Sequence, residues 1–262
     1  MLAIERRNLI LTALQEDRRV LVSDLSQRYD VSEETIRRDL EKLEKEGYVK
    51  KTYGGAVINE SGNVDLPFMI RKKKNVIGKQ RIAELAADLV EDGDRIMLDG
   101  SSTAVFIAKR LKSKRNLTVI TNSIEILIEL SDVSGWKIMS TGGTMKEGSL
   151  ALEGHQTERM LASFHVDKCF VSCKGLDAAA GVTDLSESYA EVKRLMLNAS
   201  DRRILAVDES KFDCVSFTKI LALREISAVL TDKEPSAAWK KHFEDAGIEC
   251  IYPQVLRQGR NE

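Results

Sequence analysis

The sequence has few cysteines and prolines and no excess of positive charge. Its four cysteines, Cys169, Cys173, Cys214 and Cys250, form no C-x-x-C pair, and its three histidines are scattered. This spacing is unlike that of zinc sites or disulfide frameworks, so we predict no metal and no cofactor. Lys and Arg total 40 against 41 Asp and Glu, for a formal net charge of -1. A uniformly basic protein is excluded, whereas a local basic surface is not.

Long hydrophobic runs are also absent. No apolar segment approaches the roughly 20 residues that cross a bilayer, and charged residues precede the first short apolar segment. We therefore expect a cytoplasmic protein without a membrane partner.

Hydrophobic periodicity divides the 262 residues into two parts. The first predicts three helices and a hairpin, and it ends in a polar, turn-forming stretch, NESGNVDLP. Short β-rich runs then alternate with helices, which predicts an α/β domain with a mostly parallel sheet covered on both faces. We expect a domain at 1–58, a linker at 59–75, a second domain at 76–252 and a tail at 253–262.

Capping residues and glycines set the expected boundaries in the first part. Ser23 and Ser32 are each expected to cap a helix, and Gly47 is expected to end the second of these helices. Gly54-Gly55 predicts the turn of the hairpin. The basic run at 71–74 is interpreted as a solvated linker or helix start in preference to a nucleic-acid contact.

The helix predicted at 33–46 has an apolar back and a polar front. Ile36, Leu40 and Leu43 share one face, and Arg38 points almost opposite. This pattern fits the major-groove helix of a helix-turn-helix, with the hairpin as a wing. The residues expected to contact DNA are Ser32, Thr35, Arg37, Arg38, Lys42, Lys50, Lys51 and Tyr53. The helix is also rich in glutamate, so a solvated surface helix and a docking surface for a protein remain open from the pattern alone.

Polar loops follow several strands of the second part. In RIMLDGSSTAVFIAKRL (95–111), a strand ends at Asp99 and a helix begins at Ser102 or Thr103, so backbone N–H groups and hydroxyls could form an anion pocket. An ordinary serine-capped turn explains this loop equally well. In a parallel sheet, however, such loops would converge on one crevice and favour a small polar or phosphorylated ligand. The residues expected there are Asp99, Gly100, Ser101, Ser102, Thr103, Thr121, Asn122, Ser123, Gly142, Gly143, Lys174, Asp177 and Lys211.

The segment VSEETIRRDLEKLEKEGYVKKTYGGA closely resembles the winged helix-turn-helix of the DeoR family of bacterial transcriptional regulators. The family signature contains a similar S-x-x-T-I-R-R-D-L-x-x-L and ends in G-G. The resemblance covers residues 4–58 and implies that the helix starting at Glu33 reads an operator. Residues 76–252 resemble the sensor domain of the same family, which shares its fold with ribose-5-phosphate isomerase and glucosamine-6-phosphate deaminase.

Three matches carry the second resemblance. Residues 99–103 resemble the phosphate-cradling G-x-G-S-T loop of those enzymes, and residues 208–211 resemble their D-x-S-K loop. Glu191 and Lys193 lie where the isomerase has its E-K pair, which adds Glu191 to the expected effector residues. The resemblance implies a sugar-phosphate or phosphorylated polyol effector.

One departure bears on catalysis. Family regulators usually read G-A-D-G-I-D where this chain reads SCKGLD, so Lys174 replaces the internal aspartate, and Val171 stands where the enzymes have their first acidic residue. A lysine cannot serve as the carboxylate that shuttles a proton between sugar carbons. We therefore predict a regulator and not an enzyme, with a ligand more acidic than a simple aldose phosphate.

The leading hypothesis is a repressor of a sugar or polyol operon that a phosphorylated sugar derivative releases from double-stranded operator DNA. A homodimer or homotetramer would read a repeated or palindromic operator. The alternatives are a sugar-phosphate isomerase or deaminase with an accessory DNA-binding domain, and a protein-interaction adaptor.

Overall fold

The computed structural model describes residues 1–59, 65–145 and 148–254, apart from the side chain of Gln15. The chain divides into two compact units, Met1–Lys74 and Asn75–Glu262. Each unit has a hydrophobic core of its own. Residues 60–64 of the predicted linker and residues 255–262 of the predicted tail lie outside the described residues.

The first unit combines helices with a small antiparallel sheet. Its elements are α1 (Ala3–Asp17), β1 (Arg19–Leu21), α2 (Val22–Tyr29), α3 (Glu33–Lys45), β2 (Val49–Thr52), β3 (Gly55–Ile58) and α4 (Phe68–Lys73). The strands are ordered β1-β3-β2, and both pairings are antiparallel. Three helices followed by a β-hairpin make a winged helix-turn-helix.

The structure tests the two predicted helix caps, Ser32 for α3 and Ser23 for α2. The Ser32 hydroxyl accepts the Thr35 N–H at 3.2 Å, so the predicted cap of α3 is confirmed. The prediction that Ser23 caps a helix was wrong, because β1 continues directly into α2 and places Leu21 at the cap position. Strand β1 was not predicted, since three residues are too few to establish an alternating pattern.

The segment predicted as a linker at 59–75 contains helix α4. Ile70 on this helix is 3% exposed and packs into the core of the first unit. Pro67 immediately precedes the helix, a position that suits proline because it lacks an N–H. The basic run at 71–74 is therefore the end of a packed helix and the residue after it.

The two glycines at the tip of the hairpin have different structural roles. Gly54 adopts a φ of +81° in the turn. A Cβ on Gly55 would lie 2.0 Å from the carbonyl oxygen of Val20, so only glycine lets β1 approach β3 at this point. Gly55 is thus required for the close approach of β1, whereas Gly54 favours the turn.

The second unit is an α/β domain with short 3₁₀ turns at Glu209–Lys211 and Leu223–Glu225. Its helices are α5 (Val76–Leu89), α6 (Ser102–Leu111), α7 (Ile124–Glu129), α8 (His155–Leu161), α9 (Glu187–Asn198) and α10 (Ala237–Asp245). Its strands are β4 (Arg95–Leu98), β5 (Thr118–Thr121), β6 (Lys137–Ser140), β7 (Thr144–Met145), β8 (Leu152–Glu153), β9 (Val166–Val171), β10 (Gly175–Asp177), β11 (Gly181–Asp184), β12 (Ser200–Ala206), β13 (Thr218–Leu221), β14 (Ala228–Leu230) and β15 (Glu249–Ile251).

Seven strands form the main sheet in the order β15-β14-β12-β9-β4-β5-β6, and all neighbours are parallel. Strands β10, β11 and β13 form a separate antiparallel sheet, and β7 pairs with β8. Ile96, Met97 and Phe170 on the central strands are fully buried, as expected for a sheet covered on both faces. The predicted fold class, a winged helix-turn-helix followed by a mostly parallel α/β domain, is confirmed. The loops after the parallel strands share one edge of the sheet.

No helix within the described ranges combines the length and the apolar character that crossing a bilayer requires.

Candidate nucleic-acid interface and effector site

Helix α3 buries one face and exposes the opposite one. Ile36, Leu40 and Leu43 are at most 1% exposed and belong to the core of the first unit. The side chains of Arg37 and Arg38 are 51% and 77% exposed. Both guanidinium groups are therefore accessible to an external acceptor.

The other residues predicted to contact DNA lie on the same helix, at its cap or on the hairpin. Ser32 and Lys42 are exposed, and Thr35 is half-buried with its hydroxyl 2.9 Å from that of Ser32. On the hairpin, Lys50, Lys51 and Tyr53 are exposed. The first unit thus holds all eight residues on α3, its cap and the hairpin, as a recognition helix with a wing requires.

Glutamates accompany four of these basic side chains. Lys51 Nζ lies 3.1 Å from a Glu41 oxygen, and Lys42 Nζ lies 4.0 Å from an oxygen of Glu46, the residue just after α3. Arg37 and Arg38 pair with Glu33 and Glu34, the acids four residues before them. Exposed pairs of this kind contribute about 0–1 kcal/mol, so a phosphate or a base edge can replace the carboxylate.

Asp39 connects the buried face of α3 to α1. It is 4% exposed, and its carboxylate pairs with Arg6 and with Arg7, the latter at 3.5 Å. The sequence analysis missed this contact, although the signal was present. Asp39 lies three residues after Ile36 and four before Leu43, so helical spacing places it on the apolar face.

The loop between β4 and α6 is organised around Asp99, which is fully buried. One carboxylate oxygen accepts the Ser101 N–H, and the other accepts the Ser172 N–H, each at 3.1 Å. Asp99 therefore joins the loop after β4 to the loop after β9. Asp99 was expected to contact a ligand, and in the structure both of its carboxylate oxygens accept hydrogen bonds within the unit.

The start of α6 has the features of an anion pocket. Ser101 caps the helix by accepting the Ala104 N–H at 3.1 Å, and Ser102 and Thr103 add hydroxyls in the first turn. A Cβ on Gly100 would lie 2.5 Å from the Ala151 Cβ, so this glycine permits a close approach of the chain. Backbone N–H groups and hydroxyls at the start of a ten-residue helix favour an anion.

The three polar residues at the end of β5, Thr121 to Ser123, form hydrogen bonds with neighbouring segments. Thr121 donates its hydroxyl to the Leu98 carbonyl at 2.7 Å and accepts the Ser123 N–H, and both residues are fully buried. Asn122 donates its amide to the Leu152 carbonyl at 2.8 Å. Thr121 and Ser123 were expected to contact a ligand, and in the structure neither has exposed surface.

The remaining predicted effector residues lie on or after several different elements. Gly142 and Gly143 follow the edge strand β6, and Lys174 lies half-buried in the loop after β9. The Asp177 carboxylate accepts the N–H groups of the two residues at 179 and 180, which lowers its pKa. Glu191 pairs with Arg194 on the same helix. Asp177 and Glu191 thus each have a hydrogen-bond or ion-pair partner close by in the sequence.

Lys193 is a half-buried cation, with its side chain 13% exposed, that was not among the predicted site residues. Its Nζ pairs with Asp184 and lies 3.7 Å from an Asp99 oxygen. Burial acts to lower its pKa, but the two carboxylates outweigh it and raise the pKa above its ordinary value. The signal was again helical spacing, because Lys193 lies four residues after Tyr189 and three before Met196, both of them buried.

The loop after β12 places Lys211 beside Asp208. Burial would raise the pKa of Asp208, but the charge of Lys211 and hydrogen bonds from Ser210 lower it below its ordinary value. Asp232 holds this loop, because one of its oxygens accepts the Glu209 N–H at 2.9 Å and the other accepts the Asn75 amide at 3.2 Å. The loop is thereby anchored to the start of α5.

The described residues contain no group of three or more His, Cys, Asp or Glu side chains that could hold a metal ion. Cys173 is buried near Lys193, and burial raises the pKa of its thiol to about 12.

A winged helix-turn-helix combined with an α/β unit whose polar loops share one sheet edge defines a DNA-binding regulator with a ligand-sensing domain. Two family models match the chain, the DeoR-like helix-turn-helix domain at residues 6–62 and the DeoR C terminal sensor domain at residues 74–233. The chain belongs to the DeoR family of transcriptional regulators. The predicted family is confirmed, and so is the prediction of a regulator rather than an enzyme.

Three curated relatives match over nearly their whole length. The uncharacterized HTH-type transcriptional regulator YulB of Bacillus subtilis is 41% identical over 99% of this chain and 100% of its own. The L-fucose operon activator of Haemophilus influenzae is 34% identical over 94% of this chain and 98% of its own. The HTH-type transcriptional repressor GlcR of Bacillus subtilis is 34% identical over 94% of this chain and 95% of its own.

Solved ribose 5-phosphate isomerases resemble the chain in fold alone. That of Methanocaldococcus jannaschii is 17% identical, covers 51% of this chain and 53% of its own, and has a TM-score of 0.37.

Proposed function

We propose that this regulator reads its operator with α3 and the β2–β3 wing. The observation that supports this most directly is the exposure of the Arg37 and Arg38 guanidinium groups on a helix whose opposite face is buried. Arginine can bind guanine through two hydrogen bonds or clamp a phosphate. The proposed contacts are Ser32, Thr35, Arg37, Arg38, Lys42, Lys50, Lys51 and Tyr53.

The effector is a phosphorylated sugar derivative that binds at the carboxyl edge of the parallel sheet. The N–H groups and hydroxyls at Ser102 and Thr103 receive its phosphate, and Lys211 supplies a positive charge. Lys174, in the loop after β9, favours a ligand with a further anionic group. Asp99, Thr121 and Ser123 hold these loops in position.

The regulator acts in the cytoplasm as a repressor of a sugar or polyol operon, and the effector releases it from DNA. The names of two relatives, a transcriptional repressor and an L-fucose operon activator, support the regulatory role and the link to sugars. A homodimer or homotetramer would present two winged modules to a repeated or palindromic operator.

The DNA-reading part is tested with the full chain and a duplex selected from a random-sequence pool. The affinity for the selected duplex should fall steeply with salt, because Lys and Arg contacts displace counterions from DNA. An affinity independent of salt would contradict the proposed contacts.

The effector part is tested by thermal unfolding of the full chain with a panel of sugar phosphates and sugar acid phosphates. A ligand that binds the native state raises the unfolding temperature with concentration. The same compound should weaken binding to the selected duplex. If no phosphorylated compound shifts the unfolding temperature, the proposed effector class is wrong.

A further inference from the structure

Helix α3 carries acidic side chains at the end that a recognition helix presents to the bases. Glu33 and Glu34 are its first two residues, and both side chains are about half exposed or more. Glutamate near DNA is repelled by the phosphates, so its presence here is not explained by affinity alone. The positive end of the helix dipole favours an acidic residue in the first turn of α3, but it favours Glu33 and Glu34 alike.

The two glutamates hold their arginines in different ways. Glu34 accepts a hydrogen bond from the Nε of Arg38 at 3.2 Å. Within the described residues, both terminal nitrogens of Arg38 then remain without an acceptor. Glu33 instead binds a terminal nitrogen, Nη2, of Arg37. Of the two arginines, only Arg38 therefore has both terminal guanidinium nitrogens outside the hydrogen bond to its carboxylate partner.

We propose that Glu34 is a specificity-determining residue that orients Arg38 for a base and opposes its use as a general phosphate clamp. This inference rests on the proposed binding of DNA by α3. The edge of a guanine can accept hydrogen bonds from the two terminal nitrogens while Glu34 still accepts the hydrogen bond from Nε. Binding to the correct site therefore retains the ion pair. On random DNA, Arg38 gains only a phosphate contact, and the carboxylate of Glu34 adds repulsion.

The test compares wild type and Glu34→Gln on the selected duplex and on a scrambled duplex of equal length, over a range of salt concentrations. The affinity of Glu34→Gln for the scrambled duplex should rise about 3-fold, the size expected when one exposed charge interaction is removed. Its salt dependence on that duplex should steepen. The affinity for the selected duplex should stay equal or fall, so the ratio of the two affinities decreases.

Two matched variants separate specificity from net charge. Glu33→Gln removes the same charge from the same helical turn and should raise the affinity for both duplexes alike. Glu244→Gln removes an exposed charge from α10 and should change neither affinity. Glu34→Asp keeps the charge but shortens the reach to Arg38, so it should weaken selected binding while scrambled binding remains low. Circular dichroism of each variant verifies that the helices are intact.

Three outcomes would overturn the inference. Equal gains on both duplexes with Glu34→Gln would mean that only net charge changed, and no gain on scrambled DNA would mean that Glu34 does not oppose phosphate contacts. Loss of selected binding alone, shared by Glu34→Gln and Glu34→Asp, would make Glu34 a base contact itself. Arg38→Ala is measured in parallel, and unchanged binding to both duplexes would instead contradict the proposed DNA-reading surface.

Discussion

At the scale of single residues, burial determines what each charged side chain can do. Asp39 and Asp99 lie inside their units and hold neighbouring segments together. Arg38 has its charge in solvent, where an incoming ligand can reach it. Lys211 lies between these extremes, half-buried beside the carboxylate of Asp208.

Replacement of Arg38 by alanine tests the proposed base contact. Arg38→Ala should weaken binding to the selected duplex by about 1–3 kcal/mol if the guanidinium reads a base. Arg81→Ala removes an exposed arginine from α5 and serves as the control, for which we expect no change. The measurement is an equilibrium titration of labelled duplex with the full chain. Equal losses in both variants would assign the effect to overall charge.

Replacement of Lys211 should alter the acid stability of the second unit. Because the pKa of Asp208 is depressed in the folded state, its contribution to stability is present above the unfolded value of about 3.9 and is lost as the pH falls through the folded value. Lys211→Met removes the largest effect that lowers this pKa, so the loss should begin at a higher pH. Urea unfolding between about pH 3 and pH 6 measures the shift. If the free energy of unfolding falls at the same pH in Lys211→Met and in wild type, this account is wrong.

At the scale of elements, the wing depends on how closely β1 can approach the hairpin. Strand β1 pairs with β3 from Arg19 to Leu21, and Gly55 lies opposite Leu21 with no space for a side chain. Helix α3 is held from the other side by the contact of Asp39 with α1. The recognition helix and the wing are thus fixed by separate interactions.

Substitutions of Gly54 and Gly55 compare the importance of the turn with that of the close approach between β1 and β3. Gly55→Ala should destabilise the first unit by about 2–4 kcal/mol, because its Cβ would meet backbone atoms of β1 that cannot easily move. Gly54→Ala should cost only about 1 kcal/mol, because its φ of +81° is strained for alanine but the surrounding space is open. Hydrogen exchange of the β1 and β3 amides in the full chain distinguishes the variants. Similar exchange rates in both would contradict the role given to Gly55.

At the scale of the whole molecule, regulation requires that effector binding change the affinity for DNA. A ligand shifts the balance between two states only by the difference in its affinity for them. The proposed DNA contacts lie in Met1–Lys74 and the proposed effector contacts in Asn75–Glu262, so each can be altered separately.

Substitution of the proposed effector contacts should reduce the response to the effector without changing the affinity for DNA. Ser102→Ala and Lys211→Ala are expected to keep the affinity for the selected duplex and to reduce the release caused by the most strongly binding sugar phosphate. Ser113→Ala, an exposed serine just after α6, is the control and should respond like wild type. DNA titrations with and without that compound measure the response. Loss of DNA binding in the absence of the compound would instead indicate a structural role for these residues.

The sequence by itself determined the class of fold and which face of α3 is exposed. Apolar spacing fixed the buried face of α3, the Ser32 cap fixed its start, and alternating strands and helices fixed a parallel sheet. These features depend on local periodicity and capping, which neighbouring residues along the chain decide. The same periodicity places Asp39 and Lys193 on the inward faces of their helices.

Only the tertiary structure decided which predicted site residues are fully buried. Asp99, Thr121 and Ser123 have the residue types and positions of a binding loop, yet each is enclosed by segments distant in sequence, such as Ser172 beside Asp99. The approach of β1 to Gly55 and the packing of α4 likewise depend on contacts between separate segments. Burial is a property of the assembled chain, and no local pattern specifies which polar side chain the neighbouring segments will cover.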